Sequence, residues 1–347
     1  MPKAGWGILG LLFLRFCLFC AIALTLAPLL AFIDARAAAF QAIALHLVVL
    51  NALLAVALLV YRRRFWAIAG MLAAFWNVAL AWPSIAANMQ AMFADPPPKS
   101  RALKVVSFNL SYDNPNFGQL VTFLTKSGAD VIGLSEVTPE AKAALGKLKE
   151  IYPYSIDCIG EDRFCELMLL SKKPLRYSFA GKIGPKLTYV ASADIDWQGA
   201  PLSVAVAHIV LPFVKPDWEE LKTWIPADDP SPLLAKTPAL WQSVQMAVLA
   251  GYARSLGRDQ ILMGDFNSTP WSDVQVAFRA ATWLDNKGPL VGTWPADLPA
   301  SLRVPIDSVF VGGGLNLRTL LAGPDLGSDH LPVIAEIGSK RVIAEAE

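Results

Sequence analysis

Eight polar residues sit where apolar runs of this sequence begin or end, and their types are those of a hydrolytic site. Asn109 closes KVVSFN, Glu136 closes ADVIGLSE and His208 closes PLSVAVAH; Asp265 and Asn267 lie in ILMGDFN, Asp307 in PIDSVFV, and Asp329 and His330 in GSDHLP. Taken one at a time, each has an ordinary explanation. A carboxylate after a strand commonly caps a turn, and a lone histidine is more often a satisfied structural residue than a catalyst. Together they are harder to dismiss, because two of the chain's three histidines and four acids occupy such positions. Strand ends on one side of a packed sheet open into a common crevice, which is where α/β proteins place ligands. Carboxylate and amide oxygens with no thiolate among them suit a hard cation, Mg²⁺ first and Mn²⁺ as the alternative. Histidine–carboxylate pairs move protons and hold a water for in-line attack. The set points to hydrolysis of a phosphate ester. Glu166, just before the run LMLLS, is a candidate partner for His208.

These residues need strands to carry them and helices to back the strands. Apolar, β-rich runs predict strands over 103–110, 130–136, 167–171, 202–208, 260–264, 306–311 and 333–337. Asn116 stands as the cap of a helix with Phe117, Leu120, Val121 and Leu124 on one face and Gly128 as its stop. Thr138-Pro139-Glu140 reads as a second helix start, a capping hydroxyl followed by proline in the first turn. A longer helix is expected over 238–256, capped by Thr237 and stopped by Gly257. The mixture is that of an α/β domain with helices packed outside sheets. Residues 211–240 stand apart, with six prolines, Trp218, Trp224 and the pair Asp228-Asp229; a segment of this length is either a binding lid or a surface excursion.

The composition divides the chain. With 54% hydrophobic and 17% charged residues and a mean hydropathy of +0.43, it is too apolar for one ordinary soluble domain, where about a quarter of residues are charged. Disorder is excluded by the same figures, and four cysteines are too few for a disulfide scaffold. Residues 1–100 hold seven Lys/Arg and two Asp/Glu, a local net of +5; the remainder carries a net of −4. Three runs, 7–33, 37–60 and 65–87, reach the roughly 20 residues that a bilayer-crossing helix needs. Trp6, Trp66 and Trp82 fall near the expected interfaces, and Pro28 and Pro83 toward helix ends. The first run is longer than the apolar core of a signal peptide and reads as an uncleaved anchor. The expected organisation is a three-helix membrane anchor over 1–94, a Pro-rich linker over 95–101 and a catalytic domain over 102–340.

Arg62-Arg63-Arg64 between the second and third runs places that turn and the amino terminus in the cytoplasm by the positive-inside rule, and so delivers the domain to the other side. Lys99, Arg101 and Lys104 weigh mildly against it. His46, Asn51 and Asn77, polar residues at membrane depth, are expected to hydrogen-bond between helices. Cys158 and Cys165 are placed to pair if the domain is exported, whereas Cys17 and Cys20 lie inside the first run.

The ordered set SFN, SEV, AHI, GDFN, PIDSVFV and GSDHLP resembles the endonuclease/exonuclease/phosphatase superfamily, which includes deoxyribonucleases, abasic-site endonucleases, neutral sphingomyelinases and inositol polyphosphate phosphatases. The similarity covers about 103–337, and GDFN with SDH at this distance is its most specific part. The resemblance implies an α/β (α+β) four-layer sandwich, two packed mixed sheets with helices outside, here preceded by an all-α bundle of three transmembrane helices. It also implies a metal-dependent hydrolase acting on ester bonds. By the resemblance Glu136 is the main Mg²⁺ ligand, Asn109 lies beside the metal, and Asp329 assists metal or water. Asp265 orients or deprotonates the attacking water, and Asn267 binds the scissile phosphate. His330 stabilises the transition state or takes a proton, with Asp307 holding its ring. His208 touches phosphate or protonates the leaving group. Two positions depart from the pattern: Ser135 precedes Glu136 where many members have an amide, and Ser308 follows Asp307 where a bulkier residue is frequent.

The expected partners are a phosphorylated substrate (a lipid headgroup, a small phosphodiester or nucleic acid) and a lipid bilayer met through residues 7–87; nothing in the sequence implies a protein partner. Nucleic-acid binders usually carry a basic face, and this domain is net negative, which favours the membrane-borne or small phosphoester over the nuclease reading. A catalytically silent phospholigand-binding membrane protein is the non-enzyme alternative.

Overall fold

A computed structural model describes residues 3–31, 35–93, 102–160, 165–184, 188–212 and 240–339. The expected linker, residues 161–164 and nearly all of the 211–240 segment, with Trp218, Trp224, Asp228, Asp229 and the expected cap Thr237, lie outside them.

The strand pattern of this chain is one of long apolar runs, because its strands are covered on both faces. In β1 (Leu103–Asn109), Leu103 and Val105 point to one face and Val106 and Phe108 to the other, and all four are buried. The first sheet adds β2 (Val131–Ser135), β3 (Tyr154–Asp157), β4 (Met168–Ser171), β10 (Leu315–Ala322) and β11 (Val333–Ser339), in the order β10-β11-β1-β2-β4-β3. The second holds β5 (Arg176–Lys182), β6 (Tyr189–Trp197), β7 (Ala200–His208), β8 (Gln260–Asp265) and β9 (Asp307–Val311) in sequence order. Among the described residues only β1–β2 and β7–β8 pair in parallel, so both sheets are mixed. A core that includes Val105, Val131, Leu169, Val204, Met263 and Val309 fills the space between the sheets.

Helices close the outer faces. Those following the amino-terminal three are α4 (Phe117–Ser127) and α5 (Pro139–Leu145) on the first sheet, and α6 (Leu240–Ser255) and α7 (Asp273–Ala281) on the second. Leu120, Leu124, Ala141 and Leu145 pack on Val106, Phe108 and Ile132; Met246, Leu249 and Phe278 pack on Ala205, Leu262 and Phe310. The four layers are those expected. Thr138 caps α5 by accepting a bond from the Ala141 amide (3.2 Å), and Gly128 ends α4 in the left-handed region at φ 70°. Asn116 departs from expectation: its side chain makes no cap, and the turn is fixed instead by Asn114 Oδ1, which accepts from the Asn116 amide (2.8 Å).

The amino-terminal region forms α1 (Lys3–Leu26), α2 (Ala44–Val60) and α3 (Arg64–Phe93), with 3₁₀ turns Ala27–Leu30 and Ala35–Ile43 between the first two. Three stretches, Ile8–Leu30, Ala37–Val60 and Arg64–Gln90, are long and apolar enough to cross a membrane. Their outward faces are apolar, with Phe13, Phe16, Leu53, Val56, Leu72 and Phe75 exposed. Pro28 opens a 3₁₀ turn, but Pro83 falls inside α3 rather than near its end, because the helix runs on to Phe93. Asn51 and Asn77 bind the helices together, both donating to Thr25 Oγ1 (3.1 and 3.0 Å), which in turn donates to the Ala21 carbonyl (2.9 Å). His46 does not join them: its Nδ1 is buried without a partner.

One end of this bundle meets the sandwich. The Gln41 carbonyl accepts from Trp271 Nε1 (2.6 Å), Gln41 Nε2 donates to Asp273 (2.9 Å), and Asn88 Oδ1 accepts from the Leu290 amide (2.8 Å). Ala44, Ala81 and Trp271 are buried together at the seam. The Arg62–Arg64 turn lies at the other end of α2 and α3.

Candidate active site

Strand register assembles the site. Asn109 ends β1 opposite Ser135 of the parallel β2, so Glu136, the next residue, emerges beside it. In the second sheet His208 is paired with Asp265 across β7–β8, and Asp265 with Asp307 across β8–β9. One row of three strands therefore presents His208, Asp265 and Asp307 side by side. Gly264 permits the close passage of β8 against β7: its φ is 144°, and a Cβ there would collide with the Ala207 carbonyl oxygen. Glu136 (φ 54°) and Asn267 (φ 47°) both adopt the left-handed backbone that is uncommon for residues with side chains, the kind of local strain that clusters at functional sites.

Asp265 lies at the centre and is buried. Its Oδ1 accepts from the Asn267 amide (2.8 Å), and its Oδ2 accepts from Asn109 Nδ2 (3.1 Å). Two imidazoles converge on that same Oδ2: His208 Nε2 at 3.6 Å and His330 Nε2 at 3.5 Å. Each ring is held from behind by another acid, His330 Nδ1 by Asp307 Oδ2 (2.9 Å) and His208 Nδ1 by Glu166 Oε1. Ser328 ties the loop of His330 to β1, donating to the Asn109 carbonyl (2.8 Å) and accepting from the His330 amide (3.0 Å).

Electrostatics follow from this crowding of acids. Burial pushes the Asp265 carboxyl upward, Asp307 adds to the effect, and the two imidazoles and the Asn267 N–H oppose it, leaving it at about 6. For His208 burial favours the neutral ring, but Glu166, Asp265 and Glu136 outweigh it and raise the group to about 9. For His330 the same opposition between burial and Asp307, Asp265 and Asp329 ends at about 10. At neutral pH both imidazoles are protonated donors facing one carboxylate.

Could a cation be held here? Asp265, Asp307 and His330 bring one ligand atom each within 4.8 Å of one another. Asp307 Oδ1 is buried and has no hydrogen-bond partner among the described residues. Glu136 has one oxygen accepting from Asn109 Nδ2 (2.8 Å) and the other accepting from the Tyr112 amide (3.1 Å), and lies 3.9 Å from His208 Nε2. The donors are oxygen and imidazole without sulfur, and the acids outnumber the cationic side chains, so the residues fit a hard divalent ion. Both candidate sets are partly paired: the trio through the Asp307–His330 bond, and Glu136 and Asn109 through their bond to one another, the Tyr112 amide and, at Asn109 Oδ1, the Ser111 amide (3.0 Å).

The remaining residues fall around this centre. Asn267 Nδ2 donates to the Ile209 carbonyl (2.8 Å) and stands 3.4 Å from His208 Nε2. Asp329 faces outward, where its Oδ2 accepts from the indole of Trp294 (3.1 Å). Sequence reasoning passed over Trp294, and also Gln242, whose Nε2 binds the Asn267 carbonyl (2.9 Å) from α6. Neither closes an apolar strand, so the signal that exposed the others was lacking. The pairing of Glu166 with His208 is as anticipated, and Cys158 and Cys165, just before Glu166, are joined as a disulfide.

Paired His–carboxylate groups at one edge of a four-layer sandwich are an arrangement suited to hydrolysis of a phosphoester. The profile of the Endonuclease/Exonuclease/phosphatase family matches residues 106–330, and the chain belongs to that family, whose members hydrolyse phosphoester bonds. Among solved structures it is similar to an endonuclease/exonuclease/phosphatase from Bacteroides vulgatus, with 15% identity, a TM-score of 0.55, and 69% of this chain and 100% of that chain covered. It is similar to TDP2 of D. rerio humanized by 14 mutations, with 14% identity, a TM-score of 0.50, and 69% and 99% covered. It is also similar to a functionally unknown conserved protein from Enterococcus faecalis, with 15% identity, a TM-score of 0.51, and 68% and 100% covered. At these identities the likeness is one of fold. No curated protein sequence matches the chain.

Proposed function

We propose that the protein is a membrane-anchored, Mg²⁺-dependent phosphoesterase that hydrolyses a phosphodiester or phosphate ester by in-line attack of water, with its active site outside the cytoplasm. The observation that carries the reading is the convergence of His208 and His330 on Oδ2 of buried Asp265. In this reading Asp265 orients the attacking water and takes its proton, a task suited to a carboxyl raised to about 6. His330, fixed by Asp307, donates to the phosphoryl oxygens as charge develops, and His208, fixed by Glu166, protonates the leaving oxygen. Asn267 and His208 bind the phosphate. Mg²⁺, held by Glu136 and Asn109, would supply Lewis-acid polarisation of a phosphoryl oxygen; Asp329, turned outward to Trp294, would act on it only through water.

Residues 1–94 are the anchor, 95–101 the linker and 102–340 the catalytic domain. Two observations support export of the domain. The sandwich contacts the end of the bundle away from Arg62–Arg64, the turn that the positive-inside rule assigns to the cytoplasm. The Cys158–Cys165 disulfide fits an oxidising compartment. A membrane-borne phosphoester is favoured over nucleic acid, because the site margin faces the bundle: Asn267 and Thr269 share a cavity of about 230 Å³ with Ala38, Ala39 and Gln41 of the turn before α2.

The test uses the full chain in detergent with Mg²⁺ or EDTA, offered a chromogenic phosphodiester, plasmid DNA and phospholipid. Metal-dependent turnover lost in Asp265→Ala and His330→Ala is the expected result; no turnover on any of the three would refute the enzyme reading, and turnover of DNA alone would make the protein a tethered nuclease. An alkaline phosphatase reporter fused after Ser100 is expected to be active, and silence there would reverse the sidedness.

A further inference from the structure

A second cavity lies along the seam between the bundle and the sandwich, apart from the catalytic residues. Its volume is about 550 Å³, within the range of about 300–1,000 Å³ typical of ligand pockets. One wall is the α2 face carrying His46, Val49, Leu50 and Leu53; the other is the segment leading into β9, with Leu302 and Arg303. Val49, Leu50, Leu53 and Leu302 all expose a large part of their side chains. Of the lining residues only Arg303 and His46 can carry positive charge, and none is acidic. Among the described residues both have a buried nitrogen without a partner, Arg303 Nε and His46 Nδ1. Arg303 is otherwise held by a single bond, from Nη2 to the Ala296 carbonyl (2.9 Å).

We infer that this cavity binds one anionic phospholipid of the surrounding bilayer, its phosphate on Arg303 and an acyl chain along Val49, Leu50 and Leu53. The inference rests on the membrane reading of α1–α3. A wall that is apolar along a membrane-crossing helix and cationic beside the sandwich matches an amphiphile with one anionic end. A neutral detergent or a free phosphate would satisfy only half of it. A buried guanidinium nitrogen without an acceptor is costly, and an anionic oxygen supplies the missing partner. The bound lipid would bridge α2 and the segment ending at Asp307, and so brace the docking of the domain on its anchor.

The test is native mass spectrometry of the full chain released from mixed micelles containing EDTA and either phosphatidylglycerol or phosphatidylcholine. A retained phosphatidylglycerol adduct is expected. Loss of one charge-assisted contact should cut it about ten-fold or more in Arg303→Gln. Leu50→Trp, which fills the cavity, should abolish it, while Leu59→Trp on the same helix outside the cavity should leave it unchanged. Equal retention of the two lipids, or undiminished phosphatidylglycerol in either Arg303→Gln or Leu50→Trp, would overturn the site. A full chain that stays soluble without detergent would overturn the membrane reading, and this inference with it; neither lipid result bears on the phosphoesterase reading.

Discussion

Glu166 grips Nδ1 of His208 from the position that follows the Cys158–Cys165 disulfide, so the carboxylate that fixes this ring is itself anchored one residue away. Its backbone is fixed too, since the Glu166 carbonyl accepts from the Val137 amide (3.0 Å), next to Glu136. Glu166 does not face the centre between the imidazoles. It therefore acts through His208.

Glu166→Gln should consequently lower kcat by about 10–100-fold with little change in KM, the usual scale for a residue that orients a catalytic group. Because the acid holds the ring in its charged form, the alkaline limb of the pH–rate profile should also move to lower pH. The decisive comparison is the double variant: Glu166→Gln added to His208→Ala should cost nothing further. A multiplicative loss would show that Glu166 works independently of the ring.

The disulfide makes a separate prediction about stability. Both cysteines are buried, and the loop they close is short, with a sequence separation of 7. Chain-entropy arguments give about 2–3 kcal/mol for a loop of this size. Cys158→Ser with Cys165→Ser should lower the Tm measurably, and a reductant should lower the Tm of the parent but not of the variant. Equal melting of the parent with and without reductant would deny the disulfide a stabilising role.

Much of the site was legible because its residues break a pattern. Asn109, Glu136, His208 and Asp265 each end a run of apolar residues, and a polar residue after such a run is conspicuous in a strand buried on both faces. The same logic explains what was missed. Strands β5 and β3 are largely exposed, so Arg176–Lys182 and Tyr154–Asp157 carry no apolar run. In β6, Ser192 and Asp194 are hydrogen-bonded to Tyr252 and Ser203, and they interrupt the apolar signal at positions the fold still uses. Helix α7 is short and amphipathic, and only Gln275 and Phe278 on it are buried, too few to announce a helix. Trp294 reaches Asp329 from a loop, through a tertiary contact that no local pattern encodes. His46 looked like one more interhelical hydrogen-bonding group. What sets it apart is the sandwich standing opposite, which the helix sequence does not contain.

A divalent ion would have two candidate positions, and substitution separates them. One is formed by Glu136 with Asn109, the other by the trio Asp265, Asp307 and His330. If Glu136 is the first ligand, Glu136→Gln should weaken Mn²⁺ binding, followed by the EPR signal of the free ion, by about 10-fold or more, since it removes a charged oxygen from a site of few ligands. Asp307→Asn should leave that affinity nearly unchanged and lower kcat by releasing the His330 ring. The opposite outcome would assign the ion to the trio.

The raised imidazoles predict how the metal-free protein responds to pH. A histidine whose folded pKa lies above its ordinary value of 6.5 binds its proton more tightly in the folded state. Its contribution to stability is complete below pH 6.5, and is lost as pH rises toward the folded value, about 9 for His208 and about 10 for His330. Asp265, raised to about 6, adds a loss in the same direction at lower pH, between its ordinary value and 6. In EDTA the Tm should therefore fall steadily from pH 7 to pH 9, each excess proton contributing about 1.4 kcal/mol per pH unit. A divalent cation supplies positive charge to the same acids, so Mg²⁺ should raise the Tm and flatten its slope over that interval. Imidazole resonances of ¹³C-labelled histidine give the direct check: with EDTA at pH 8, the His208 and His330 rings should still be protonated. Rings that titrate near 6.5 would mean that the acids around Asp265 are solvated, and the charged pair facing it would have to be abandoned.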